Sequence, residues 1–301
     1  MGTPVTVVIL TRNEELNIAE CLESVRWAAE VMVVDSFSTD GTVQIAERLG
    51  AKVYSHPFES CARQRNWALG NLPISHEWVL MLDADERIPD ALAREIAQVL
   101  ADPNLTKAGF YLSFRHRFMG RWLRHGGLYP TWIMRLFKRH GARYEDRPMN
   151  EHVILDGAAG YLKQPFEHRD RRPLSNWIAK HNRYADLQAQ EYFGDRAGAF
   201  PESLPPRLFG TQAARKRWLK LRVWNRLPLL LRPFLFFFRN YVLKAGFLDG
   251  RPGFIYHVLW SFWFPFLADV KIIERRDALQ GTRQPLRQTE ILRSSSLQGG
   301  S

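Results

Sequence analysis

"WVLMLDADERI", Trp78–Ile88, runs an apolar stretch of strand character straight into two carboxylates, Asp83 and Asp85. Residues i and i+2 of an extended chain point to the same side, so both acids can face one ligand. Like charges at that spacing repel one another unless something positive sits between them. Hard oxygen donors suit Mg2+ or Mn2+, and such an ion would in turn neutralise a diphosphate. The bland alternative is a loop whose acids cap the next helix. The surrounding sequence weighs against it.

Upstream, "VTVVIL" (Val5–Leu10) and "VMVVD" (Val31–Asp35) are β-branched apolar runs bounded by polar turns, the pattern of buried strands. A third strand is expected at "AKVYS", and the run Trp78–Leu82 makes a fourth. Between them, Ile18, Leu22, Val25 and Ala29 recur at helical spacing, with Asn13 in the N-cap position. Further helices are expected over Val43–Leu49, Cys61–Leu72 and from Pro89 to Leu100. This alternation predicts an α/β fold, a mostly parallel sheet with helices on both faces. Ligands of such sheets bind beyond the carboxyl ends of the strands. Thr11–Glu14, Asp35–Asp40 and Asp83–Asp85 all follow strands directly, so the acids collect at one edge.

Several other residues admit two readings. Asn13 with Glu14 is also ordinary helix-start chemistry. Arg63, Arg65 and Asn66 in "CARQRNWAL" either form a solvated helix face or turn toward the strand ends, where an arginine meets phosphate oxygens. "YEDRPMNEHVIL" holds Glu145, Asp146 and Glu151 beside His152, and a carboxylate there could take a proton from an acceptor hydroxyl. The nine histidines show no zinc-site spacing.

Beyond Leu105 short strands of a mixed region are expected, then a helix over "LSNWIAKHNRYADLQAQEYF". The net charge of +11 lies almost wholly in residues 201–301, which carry 17 Lys/Arg against 6 Asp/Glu. Residues 218–270 mix Trp, Phe and Leu with regularly placed Arg and Lys, but Arg232, Arg239 and Pro265 interrupt the apolar runs. A spanning helix needs roughly 20 consecutive apolar residues, and amphipathic helices lying in a membrane interface fit this pattern better. The partner expected for this region is an anionic membrane surface and no nucleic acid, since "FLFFF" suits a lipid boundary and not a solvated basic patch. Cys21 and Cys61 fit a reduced, cytosolic setting, and no signal peptide is visible. The expected division is a catalytic domain over 1–205, a basic aromatic helical region over 206–280 and a disordered tail over 281–301.

Together, "VVILTRNEELNIAECLESV", "VVDSFSTDGT", "ARQRNWAL", "WVLMLDADERI", "YEDRPMNEHVIL" and "KHNRYADLQA" resemble family 2 glycosyltransferases with the GT-A fold. Within these the sequence is most similar to lipopolysaccharide core β-1,4-glucosyltransferases of the WaaE/KdtX type. The resemblance implies an inverting, metal-dependent enzyme using a nucleotide sugar, most readily UDP-glucose, and a lipid-anchored glycan acceptor. It implies that Leu10, Arg12 and Glu14 flank the nucleotide, that Asp35 binds the base, and that Arg65 approaches the base or diphosphate. Asp83 would reach ribose and metal, Asp85 would ligate the metal, Glu151 would be the general base, and His168 would lie near the metal. The setting implied is peripheral, on the cytoplasmic face of the inner membrane. A polyprenyl-phosphate acceptor is the nearest alternative, and a nucleic-acid-binding protein on a degenerate nucleotide-binding scaffold the more distant one.

Overall fold

The computed structural model describes residues 2–149, 151–200, 203–209 and 211–281. The first half alternates as the sequence predicts: β1 (Thr3–Thr11), α1 (Ile18–Glu23), β2 (Ala28–Asp35), α2 (Thr42–Arg48), β3 (Lys52–Ser55), α3 (Cys61–Asn71) and β4 (Trp78–Asp83). Short β5 (Glu86–Arg87) and α4 (Asp90–Leu100) follow. The mixed region comprises β6 (Gly109–Phe118), β7 (Arg121–Leu123), β8 (Thr131–Lys138), β9 (Ala142–Tyr144), β10 (Val153–Leu155), β11 (Ala159–Tyr161) and β12 (Phe166–Arg169). The C-terminal part is helical: α5 (Leu174–Ala197), α6 (Gln212–Arg222), α7 (Arg232–Phe237), α8 (Gly250–Tyr256) and α9 (Phe264–Gly281).

One large sheet runs in the order β3-β2-β1-β4-β8-β6-β12-β5, with β7 and β11 attached to β6. β3, β2, β1 and β4 are parallel, and β8 enters antiparallel between β4 and β6. Alternation along the central strands builds two cores. Val5, Val7 and Ile9 join Leu80 and Leu82 beneath α1 and α4, while Val8, Val79 and Met81 pack on Ala62, Ala68 and Leu69 of α3. Because both faces are covered, these strands read as continuous apolar runs. Their register aligns the carboxyl ends: Thr11 lies opposite Asp35, and Leu10 opposite Asp83.

Two local expectations change. The first helix spans only Ile18–Glu23, so Val25 follows it and Ala29, expected on the same helix, lies in β2; and Asn13 is not its cap. Asn13 instead takes a left-handed backbone (φ 55°), a conformation asparagine tolerates better than most residues. Its Oδ1 accepts the Thr39 N–H at 2.8 Å, and its own N–H donates to Ser38 Oγ at 2.8 Å. The asparagine thus ties the loop after β1 to the loop after β2.

In α5, His181, Ala185, Ala189 and Tyr192 form a buried helical stripe. It packs on Phe264, Ala268 and Ile272 of α9. Arg217 of α6 reaches the buried Glu145, and Arg232 of α7 pairs with the buried Asp269 of α9. The C-terminal helices therefore pack on α5 and on the segment after β9. Their other side is apolar and exposed, including Leu231, Phe234, Leu235, Phe238, Val242 and Leu243. Among the described residues no helix is long and apolar enough to cross a membrane. Of the expected tail, 281–301, Gly281 belongs to α9, and the residues from 282 on lie outside the described residues.

Candidate active site

Asp83 terminates β4 between two guanidinium groups. Arg65 Nη2 donates to its Oδ1 at 2.9 Å, and Arg135 Nη2 to its Oδ2 at 2.8 Å. The same Arg135 nitrogen donates to Glu86 Oε1 at 2.5 Å, while Glu86 Oε2 accepts the Asp83 N–H at 3.0 Å. Burial alone would raise both acids. For Asp83 the arginines win and hold it well below the usual carboxylate range. For Glu86, burial together with Asp83 and Asp85 outweighs Arg135 and pushes it up to about 7. Negative charge thus settles on Asp83 in preference to Glu86.

Asp85 is buried, with Oδ2 3.4 Å from His168 Nε2 and 4.0 Å from Arg172 Nη2. Burial opposes its ionisation, but His168, Lys180 and Arg172 overcome that and hold it well below its ordinary value. The strand pairing sets this geometry. β5 follows the acids directly and runs antiparallel to β12, with His168 opposite Glu86 and the Arg169 N–H on the Asp85 carbonyl at 2.8 Å. Arg172 also holds Glu14 at 2.6 Å and Asp170 at 2.7 Å. Burial and the nearby Asp85 nonetheless lift Glu14 to about 7.

Arg65, on the inner face of α3, pairs with Glu151 as well as Asp83. Its neighbours divide the other roles. Arg63 turns outward to Glu59 and to the exposed Asp146. Asn66 donates to the Tyr144 carbonyl at 2.9 Å and accepts its N–H at 2.7 Å, binding β9 to α3. Of the three acids in "YEDRPMNEHVIL", Glu145 is fully buried and committed to Arg217, the Leu204 N–H and His152. Asp146 faces solvent, and Glu151 alone joins the Arg65–Asp83 group.

The remaining expected residues occupy the strand ends. Asp35 is buried and accepts from Thr11 Oγ1 at 2.9 Å, the Ser38 N–H at 2.8 Å and Ser38 Oγ at 2.5 Å, so in this conformation it organises its own loop. Leu10 packs at the rim of the α3-side core, and Arg12 is exposed. His168 lies beside Asp85, and its Nδ1 is 3.1 Å from His116 Nδ1. Burial, reinforced by His168, drives His116 down to about 3, so His116 stays neutral.

A cavity of about 960 Å³ opens over Asp83, Asp85 and Glu86. Its walls include Trp177 and Lys180 of α5 and Trp260 near α9. Among the described residues no group of three or more His, Cys, Asp or Glu side chains could hold a metal ion. The donor set nonetheless suits a divalent metal that borrows ligands from a diphosphate: Asp85 and Asp83 open on the same cavity, and the cations beside them hold both as carboxylates. Sequence reasoning missed Arg135, Glu86, Arg172 and Lys180. The lone arginine inside the apolar strand "TWIMRLFK" was the available signal for the first.

The motifs at the strand ends and the cavity above them coincide with a family pattern. The model of glycosyl transferase family 2 matches residues 6–169. This chain belongs to glycosyl transferase family 2. An uncharacterized glycosyltransferase of Rickettsia bellii is 37% identical over 86% of this chain and 82% of its own. The lipopolysaccharide core biosynthesis glycosyltransferase LpsC of Rhizobium meliloti is 25% identical over 90% of this chain and 93% of its own. The glycosyltransferase fold is shared with a mannosyltransferase from Pyrobaculum calidifontis, solved with GDP-Man and Mn2+, at a TM-score of 0.50 and 19% identity. That alignment covers 91% of this chain and 88% of the other. This glycosyltransferase therefore has the GT-A architecture that its motifs imply.

Proposed function

We propose that this glycosyltransferase inverts the anomeric centre of a nucleotide sugar, UDP-glucose on the motif resemblance, while transferring the sugar to a hydroxyl of a lipid-anchored glycan. The lipopolysaccharide inner core is the acceptor that fits best, in line with the lipopolysaccharide core biosynthesis for which LpsC is named. The observation carrying the reading is the Asp83/Asp85 pair on the cavity floor, bracketed by Arg65, Arg135, His168 and Arg172. A divalent metal held by Asp85 and Asp83 would neutralise the donor diphosphate, as Mn2+ accompanies GDP-Man in the fold relative. Arg65 would orient the diphosphate and stabilise the charge that grows on it. Glu151 would take the proton of the acceptor hydroxyl. The hydroxyl oxygen then bonds to the anomeric carbon as the carbon–diphosphate bond breaks, and the nucleoside diphosphate leaves with the electron pair.

The basic, aromatic helices would rest on the cytoplasmic face of the inner membrane as a peripheral anchor. Exposed Phe234, Leu235, Phe238 and Val242 support this, with arginines available to reach lipid phosphates. The test is a panel of nucleotide sugars with and without Mn2+. One donor should raise the melting temperature only when metal is present, and its glucose should appear on a lipid-linked acceptor. No metal-dependent protection by any nucleotide sugar would overturn the reading.

A further inference from the structure

The cavity above Asp83 and Asp85 has a second polar wall that the proposed chemistry does not use. The acids lining it, Asp83, Asp85, Glu86 and Asp170, belong to β4, β5 and the segment after β12. On another side the lining is Phe236, Arg239, Asn240 and Lys244, facing the loop Gly126–Leu128. This wall comes from a stretch, Ser203 to Leu248, that contains no acid.

Most cations around the cavity already have carboxyl partners: Arg117 has Glu167, Arg135 has Asp83 and Glu86, Arg171 has Glu20, and Arg172 has Glu14 and Asp170. Lys180 lies in the field of Asp85 and Asp83, and Arg169 in that of Glu167. Arg239 and Lys244 have no carboxylate partner among the described residues. Lys244 instead feels Arg239 as a like charge, and burial together with that charge lowers its pKa. Two neighbouring cations without a carboxylate beside them, both open to solvent at the cavity edge, form a local positive field that an anion entering the cavity would meet.

The loop opposite is shaped to this pair. Gly126 donates its N–H to the Lys244 carbonyl at 2.9 Å. Gly127 has φ 78°, and a Cβ there would lie 2.6 Å from Lys244 Nζ, so the backbone runs directly against the ammonium group. Asp249 fixes the same loop through the Arg124 and His125 N–H groups at 3.0 and 2.9 Å.

We propose that Arg239 and Lys244 form an anion subsite for the acceptor, so that the acceptor class is an acidic glycan, one bearing a phosphate monoester or carboxylate on the sugars that enter the cavity. This rests on the glycosyltransferase reading, since it takes the cavity to be where the acceptor sits.

The experiment uses the full chain saturated with UDP and Mn2+, so that the diphosphate side is filled. Quenching of tryptophan fluorescence is followed on titration with glucose 6-phosphate, glucuronate or uncharged methyl glucoside. Both anionic sugars should bind at least tenfold more tightly than methyl glucoside, and the preference should weaken with salt. In R239Q/K244Q the preference should fall to less than twofold, with the melting temperature and UDP–Mn2+ affinity unchanged, because both side chains are exposed. Binding to phosphatidylglycerol vesicles should also be unchanged in that variant. Equal affinity for charged and neutral sugars in the native protein, or a preference that survives R239Q/K244Q, would overturn the inference. A variant that loses vesicle binding but keeps the sugar preference would also overturn it, by assigning the two cations to lipid headgroups. Failure of UDP–Mn2+ to bind the native protein would instead strike at the glycosyltransferase reading itself.

Discussion

Asp83 and Glu151, far apart in sequence, are bound by the same guanidinium group, that of Arg65. Arg65 is nearly enclosed, so each of its pairs is worth more than a surface ion pair, and losing one leaves a buried charge exposed to the other. A diphosphate entering between Asp83 and Arg65 would replace one carboxylate with phosphate oxygens. Glu151 would then remain beside the arginine that holds the leaving group.

Glu151→Gln keeps the shape of the side chain and its place beside Arg65 but removes the proposed proton acceptor. We expect kcat to fall by about 100-fold or more, with nucleotide affinity nearly unchanged. Asp146→Asn, on the solvent side and paired with Arg63, should stay close to the native rate. Steady-state transfer assays on both variants decide the matter, and the reverse pattern would move the base to Asp146.

Asp85→Asn should abolish transfer and the metal dependence of nucleotide binding while leaving the melting temperature within a few degrees. Its partners His168 and Arg172 retain other hydrogen bonds, so the fold loses little. Calorimetric titration of UDP with and without Mn2+ provides the check. Full activity of this variant in the presence of EDTA would refute the metal assignment.

Glu145 carries structure and not chemistry. It is fully buried and joins the strand region to α6 through Arg217 at 2.8 Å. Glu145→Gln should destabilise the protein by about 3 kcal/mol, because the buried Arg217 would lose its charge-assisted bonds to this carboxylate. Urea denaturation measures this, and the folded fraction should turn over at the native rate.

Glu86 gives a pH signature of definite sign. Its pKa rises from 4.5 to about 7 on folding, so between those values the folded chain keeps a proton that the unfolded chain has lost. Stability from this group is complete below the unfolded value and declines as pH climbs through the folded one. Glu14 adds a decline of the same sign over the same window. Urea midpoints taken from pH 5 to 7.5 should therefore fall less steeply for Glu86→Gln than for the native protein. Parallel curves would show that Glu86 titrates normally.

Much of this was legible because the central strands are buried on both faces, which writes them as unbroken Val, Ile and Leu runs, and because their polar ends follow at once. Arg65 could be named from the resemblance, although the residues alone left its direction open between solvent and the strand ends. The rest depends on contacts between distant segments. Arg135 becomes part of the site only because β8 inserts antiparallel beside β4, and Arg172 only because β12 returns next to β5. Asn13 misled for a related reason: a helix cap and a left-handed loop anchor use the same residue, and the deciding partner, Thr39, lies in another loop.

The two hydrogen bonds between Asn66 and the Tyr144 backbone have a mechanical consequence. A side chain stands in for a missing neighbouring strand, and it sits on the helix turn that also bears Arg65. Any slide or tilt of α3 would therefore carry the arginine and the start of the Glu151 segment together, as two fittings on one bracket. The distance from Glu151 to Arg65 would then follow the helix and not the drift of the surrounding loops, and an engineer who redesigns the opposite wall of the cavity can leave that bracket untouched.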